Sequence, residues 1–363
     1  MVVDVRYGPA RVPMKFIFDT GSEYSLLTNR YVAALSGARI ARRITLYGSD
    51  LKTPIDAYVL LGNDLVLGER LKVWNTEMIL LTDNDLDFDK YVGFRIDGII
   101  GANIFARFIV QIDYRREQIW LYHPQARPSL HRFREVPARF VGRKPYLQVG
   151  LDMDDGRVRP ASLLLDSGAG LSFLLVTHSF ADSILPPGVK PARIAAGLGG
   201  SLRGFIGRVR FIELGQIRRD LPVVFFQTEA DSLLLVHTPK NGNVGNLFLE
   251  NYRVRIDYPG RRVYLSPVGR RRFRQDRSGL TVFADGPDLR RYVVSQVIPG
   301  SPADRAGVRE GDVLVSINGW PVRFRTMDGI VRLFSRRAGR RVRLRLVRRG
   351  ERRTVRFVLA NYI

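Results

Sequence analysis

Apolar residues along this chain mostly cluster in short runs or alternate with polar ones, the spacing of strands rather than helices. Residues 2–6, 15–18 and 146–151 are rich in β-branched and aromatic side chains and are set apart by Gly and Pro, which predicts short strands joined by tight turns. Arg340-Arg341-Val342-Arg343-Leu344-Arg345 places charge and apolar residues in alternation, the pattern of a strand with one wet face. Short helices are predicted after each of two glycine-bearing motifs, over residues 103–108 and 247–252. The expected fold is therefore mainly β.

The pattern also repeats. Met14-Lys15-Phe16-Ile17-Phe18-Asp19-Thr20-Gly21-Ser22 matches Ser162-Leu163-Leu164-Leu165-Asp166-Ser167-Gly168-Ala169. Further on, Gly98-Ile99-Ile100-Gly101-Ala102-Asn103 corresponds to Gly242-Asn243-Val244-Gly245-Asn246-Leu247. Ile112-Asp113-Tyr114 then answers to Ile256-Asp257-Tyr258, and Ile119-Trp120-Leu121 to Val263-Tyr264-Leu265, with no gap in register after the glycine motifs. Ordered landmarks of this kind are the signature of a duplicated unit. The duplication divides the chain into a first lobe at 1–122, a Pro-, Arg- and His-rich connection at 123–137, a second lobe at 138–267 and a C-terminal domain at 268–363.

Each repeat sets an aspartate at the end of an apolar run, followed by Thr or Ser and then Gly. That describes a carboxylate at the tip of a buried strand, with a hydroxyl to bond neighbouring backbone and a glycine that allows close approach of the partner loop. Two such tips facing each other bring Asp19 and Asp166 together. Like charges at that distance do not both ionise readily, so the pair would hold one proton around a water. One carboxylate would then deprotonate the water while the other protonates an amide carbonyl, hydrolysing the bond without a covalent intermediate.

These loops and glycine motifs resemble those of the pepsin and retropepsin clan of aspartic peptidases, over roughly residues 1 to 267. The resemblance implies two homologous retropepsin-like β-barrel lobes forming a bilobal aspartic peptidase. It implies an aspartic endopeptidase with Asp19 and Asp166 as catalytic residues and Thr20, Gly21, Ser22, Ser167 and Gly168 supporting the loops. No metal or other cofactor is expected. The second glycine motif carries Asn243 where the clan has an apolar residue, and Glu23 follows Ser22 where a small or hydroxyl residue is commoner. Flap hairpins are expected around Tyr47 and Gly48 in one lobe and Gly199 and Gly200 in the other, with Tyr47 either a flap tyrosine or an ordinary turn tyrosine. The competing reading is a catalytically inactive homologue that binds peptides through its cleft.

The C-terminal part runs Ser295-Gln296-Val297-Ile298-Pro299-Gly300-Ser301-Pro302-Ala303, then Ala306-Gly307-Val308, Gly311-Asp312-Val313-Leu314 and Ile317-Asn318-Gly319. This is a strand, a turn, a short helix with a glycine stop, a strand and an Asn-Gly turn. The string resembles bacterial PDZ domains, β-sandwich-like with two helices, which add an extended peptide to a sheet edge and hold its terminal carboxylate on backbone amides. The carboxylate loop is expected at Gly279, Leu280, Thr281 and Val282, and the peptide against the helix around residues 327–334. The partners implied are a peptide or protein substrate and a peptide ligand at the PDZ groove. The PDZ-bearing branch of the clan points to a bacterial protein that is exported or periplasmic, although the first residues show no basic segment leading into an apolar one.

Composition narrows the alternatives. No cysteine is present, which removes thiolate chemistry, and none of His123, His131, His178 and His237 lies four residues from another, as a helical metal site requires. The net charge of +23 raises nucleic acid as a partner. From Val268 onward there are 23 arginines, no lysine and 8 acidic residues, but no nucleic-acid motif accompanies them. Charge at this density predicts a weak affinity for polyanions or an anionic membrane surface, without specific nucleic-acid recognition.

Overall fold

The computed structural model describes residues 1–9, 12–28, 30–47, 54–69, 71–81, 88–182, 185–197, 200–228, 241–269 and 274–363. Among them the strands form four sheets. In the first, Met14–Phe18 alternates buried and more open positions and pairs in parallel with Gly98–Ile100. Leu26–Leu27 lies on the far side of Gly98–Ile100, antiparallel to it and parallel to Leu71–Leu81. Val2–Tyr7 bonds both Met14–Phe18 and the end of Pro54–Leu67, so this sheet curls back on itself like a barrel.

The second sheet repeats that arrangement. Val158–Leu165 pairs in parallel with Gly242–Val244, which runs antiparallel to Phe173–Val176, which is in turn parallel to Val223–Gln227. The short helices after the glycine motifs are Ala102–Phe105 and Asn246–Leu249, each starting at a glycine in extended conformation, Gly101 or Gly245. They begin one residue earlier and end about three earlier than the sequence pattern suggests.

A five-stranded sheet joins the two halves, with Ile109–Asp113 and Tyr252–Asp257 antiparallel at its centre. Gln111 stands directly opposite Arg255, its own counterpart in the repeat. A segment paired with its copy about a shared midpoint is a local two-fold axis, and it makes the duplication a physical interface. Phe18 stacks on Phe105 at 4.5 Å, and Phe105 meets Tyr258 at 5.3 Å, so the first sheet and the joining sheet share a core. The connection expected at 123–137 is partly structured, because Arg134–Val136 adds an edge strand beside Arg262–Pro267.

The fourth sheet has its own core, including Leu280, Tyr292, Leu314, Ile330, Phe334 and Leu346. Its principal strands lie in the order Leu280–Asp285, Arg291–Val297, Val313–Ile317, Arg341–Arg348 and Glu351–Val358. Arg341–Arg348 alternates exposed arginines with buried Val342, Leu344 and Leu346, as its pattern requires. Asn318 and Gly319 both take positive φ, 52° and 88°, in the two-residue turn before Trp320–Pro321. The helices are Pro302–Arg305, capped by Ser301, and Met327–Phe334, capped by Thr326. Ala192, Ile206 and Ile298 form a small core that docks this domain on the hairpin of the second sheet.

Candidate functional site

Asp19 and Asp166 sit just past the ends of Met14–Phe18 and Val158–Leu165, where each parallel strand pair closes. The Asp19 amide donates to the Ile100 carbonyl and the Asp166 amide to the Val244 carbonyl, both at 3.0 Å. The residues after them interlock. Thr20 N donates to Ser167 Oγ at 3.0 Å, and Ser167 N to Thr20 Oγ1 at 3.0 Å. Thr20 Oγ1 donates to the Leu165 carbonyl at 2.8 Å, and Ser167 Oγ to the Phe18 carbonyl at 2.8 Å. Both side chains are fully buried. Four reciprocal bonds in a dry site fix one loop against the other, and a hydroxyl is the side-chain group that can donate and accept in this way.

The glycines matter because the loops nearly touch. A Cβ at Gly21 would come within 2.8 Å of Asp166 Cγ, and one at Gly168 within 2.6 Å of Asp19 Cγ. Asp19 and Asp166 are therefore brought together, as their sequence setting predicts. Burial, then the neighbouring Asp166 charge, push the Asp19 carboxyl up to about 7, against a bond from Gly21 N that favours its charged form. Both effects favour the protonated form of Asp19 beside Asp166, as in a carboxyl pair that holds one proton.

The two aspartates are not equivalent. Asp166 Oδ1 accepts from the amides of Gly168 and Ala169, each at 2.9 Å, and Oδ2 accepts from Asn243 Nδ2 at 2.5 Å. Asn243 thus acts as a donor to Asp166, a role signalled in the sequence only by a polar residue in an apolar slot. Asn246 Nδ2 bonds the Ser167 carbonyl at 2.7 Å, while Asn103 Oδ1 accepts from both Ser25 N and Ser25 Oγ at 2.8 Å. Ser22 is turned away from the pair, its hydroxyl on the Tyr24 carbonyl at 2.7 Å.

Of the expected flap residues, Gly48 and Gly199 lie outside the described residues. Tyr47 is the last residue of Arg39–Tyr47, opposite Pro54 and half exposed, and Gly200 opens Gly200–Arg208 opposite Gly197. Gly279, Leu280, Thr281 and Val282 stand at the start of Leu280–Asp285, the edge of its sheet. Gly279 has φ +79°, and its amide donates to Asp276 Oδ2 at 2.5 Å, while Leu280 N donates to Ser278 Oγ at 3.1 Å. Asp276 is half-buried, also accepts from Tyr362 OH at 2.9 Å, and has its carboxyl pushed up by desolvation.

With this geometry established, the sequence profile described as PDZ domain matches residues 293–348. The C-terminal domain is a PDZ domain. A Synechocystis protein named as a serine protease, HhoA, is 47% identical over 36 residues, which is 10% of this chain and 9% of that protein. A solved chain titled photosystem II D1 C-terminal processing protease is 30% identical, with TM-score 0.22, covering 23% of this chain and 22% of its own. This chain therefore spans about a tenth and about a fifth of the lengths of those two proteins.

These likenesses correct the expectation of an aspartic endopeptidase. The relative whose type is named is a serine protease, which points away from the pepsin- and retropepsin-like assignment. The physical reason such an expectation can fail is that two carboxyls held together make a shared-proton site, and a site of that kind does not by itself establish a reaction. Three donors converge on Asp166, where the expected pattern had an apolar residue in place of one of them. What stands is a mainly β protein with barrel-like sheets, a C-terminal PDZ domain and a likeness to proteases that handle peptide or protein substrates.

Proposed function

We propose that this protein binds extended polypeptide, on two retropepsin-like halves whose Asp19–Asp166 pair hydrogen-bonds the main chain of one segment, while the PDZ groove takes another. The observation that carries this reading is the reciprocal Thr20–Ser167 lock, which holds both carboxyls in one site. A carboxyl pair with one proton offers one O–H donor and free acceptor oxygens, which complements the carbonyl and N–H of a peptide group. The rise of Asp19 to about 7 means the donor is present below neutrality and is lost above it. The proteases matched by this chain are themselves polypeptide-handling proteins by name, which favours the same ligand class.

The test is fluorescence anisotropy of a diverse labelled peptide library on the full chain at pH 5 and pH 8, with Asp19→Asn and Asp166→Asn beside it. Binding at the pair should weaken by roughly tenfold between the two pH values, about one hydrogen bond between neutral groups, and Asp19→Asn should flatten that dependence. Binding that ignores pH in the unmodified chain sinks the proposal. Mass spectra of the same mixtures add a check, because peptides should emerge intact and cut products would overturn a reading of binding alone.

A further inference from the structure

A PDZ groove lies between the edge strand of the sheet and the neighbouring helix, here Leu280–Asp285 and Met327–Phe334. Leu280–Asp285 pairs with Arg291–Val297 on one side and, among the described residues, with no strand on the other. That open edge is where a peptide would add, yet another part of the chain is already there. Helix Phe88–Val92, from the first half of the molecule, packs against both Leu280–Asp285 and Met327–Phe334, and against Lys190–Gly197 as well. At its end Gly93 turns with φ +80°, so close that a Cβ there would stand 3.1 Å from Met327 Cβ. Met327 is buried, as a groove-wall residue under cover would be.

The carboxylate end of the groove is taken too. The Gly279 and Leu280 amides are satisfied by Asp276 and Ser278 of the same chain. The occupying helix is itself held in shape, with Gly93 N donating to the Asp89 carbonyl at 2.8 Å and Ile96 N to Asp89 Oδ1 at 2.7 Å.

We propose that helix Phe88–Val92 with Gly93 is the resident intramolecular occupant of the PDZ groove, so that an external C-terminal peptide binds there only by displacing it. The inference rests on the peptide-binding reading above and adds the partner that holds the groove at rest. An external ligand then meets a groove that is free only for a fraction of the time, and its apparent affinity falls by that fraction.

The sequence contains no cysteine, so Gly93→Cys with Met327→Cys introduces a single thiol pair. Their spacing is within a small relaxation of the roughly 3.5–4.5 Å between Cβ atoms of a disulfide. The probe is a labelled peptide with an apolar residue bearing a free C-terminal carboxylate, added to the full chain. Mild oxidation should form the disulfide, abolish peptide binding at the PDZ domain, and be reversed by reductant. A second variant, Lys90→Gly, Tyr91→Ser and Val92→Gly together, leaves Asp89 in place, loosens the occupant and should bind the probe about tenfold or more tighter than the unmodified chain. A folded double-cysteine variant that does not oxidise, or an oxidised form that binds as well as the reduced one, overturns the occupancy. A pair that oxidises while no form, the loosened variant included, takes up peptide keeps the helix in the groove and defeats the peptide-binding reading instead.

Discussion

Removing the titration of Asp19 should change how stability depends on pH. The carboxyl is raised from 3.8 in an unfolded chain to about 7 here, so between those values the folded state holds the proton that the unfolded state has released. The folded state binds more protons in this window, and stability must therefore fall as pH rises through it. A shift of about three units at about 1.4 kcal/mol each is roughly 4 kcal/mol. Asp19 is partly open to solvent, which reduces the effect to about 2–4 kcal/mol. Asp19→Asn keeps an oxygen that accepts from Gly21 N, a bond of 2.7 Å in the unmodified protein, and has nothing to titrate. Urea denaturation followed by tryptophan fluorescence, with Trp120 in the joining sheet as one reporter, gives the stability of both proteins at pH 4 and pH 8. The unmodified protein should lose about 2–4 kcal/mol relative to Asp19→Asn across that range. Equal dependence in the two proteins would refute the raised carboxyl and the shared proton with it.

Two further substitutions probe what holds the site and the PDZ domain. Thr20→Val keeps the shape but removes the hydroxyl that bonds Leu165 O and Ser167 N, and should cost about 2–3 kcal/mol in denaturant unfolding, with Thr20→Ser recovering most of it. Asp312 is fully buried and gripped by Arg348 at 2.7 and 2.8 Å and by Arg309 N at 2.9 Å, so Asp312→Ala leaves a cation facing an empty site. Calorimetry of the full chain should show the transition containing the PDZ domain weakened by about 3–5 kcal/mol, and an unchanged profile would remove the pair from the accounting.

Much of this architecture can be read from the sequence because period-two patterning and a duplicated register are local signals. The gap-free alignment from Gly98 and Gly242 already pairs Gln111 with Arg255, and the folded chain sets those two residues opposite each other at the local two-fold. The alternation in Arg341–Arg348 likewise needs no partner to be recognised. Asn243 shows where that legibility stops. Its place in the repeat says only that a polar residue replaces an apolar one, and its bond to Asp166 exists because two strands converge there. Helix Phe88–Val92 is only five residues long, too short for a helical period to register, and its site against the PDZ domain depends on contacts far away in sequence. The reaction was beyond reach for a different reason, since the aspartate loops specify a geometry and a geometry does not name a chemistry.

The groove occupant is also tied to the aspartate pair through a short stretch of chain. From Gly93 the backbone runs through Asp97, whose amide donates to the Lys15 carbonyl at 2.8 Å and whose carboxylate accepts from Lys15 N at 3.0 Å. It then becomes Gly98–Ile100, whose last carbonyl holds the amide of Asp19. The strand beneath Asp19 is thus anchored at Lys15, and only residues 93–96 separate that anchor from the helix in the PDZ groove. Displacing the helix must either break the bond between Asp89 and Ile96 N or pull on the segment that leads to Asp19. Where that bond holds, a ligand that displaces the helix at the PDZ domain pulls on the strand beneath Asp19. By linkage, any change this makes in binding at the cleft is matched by an equal change in the affinity of the PDZ groove when a segment binds at the cleft.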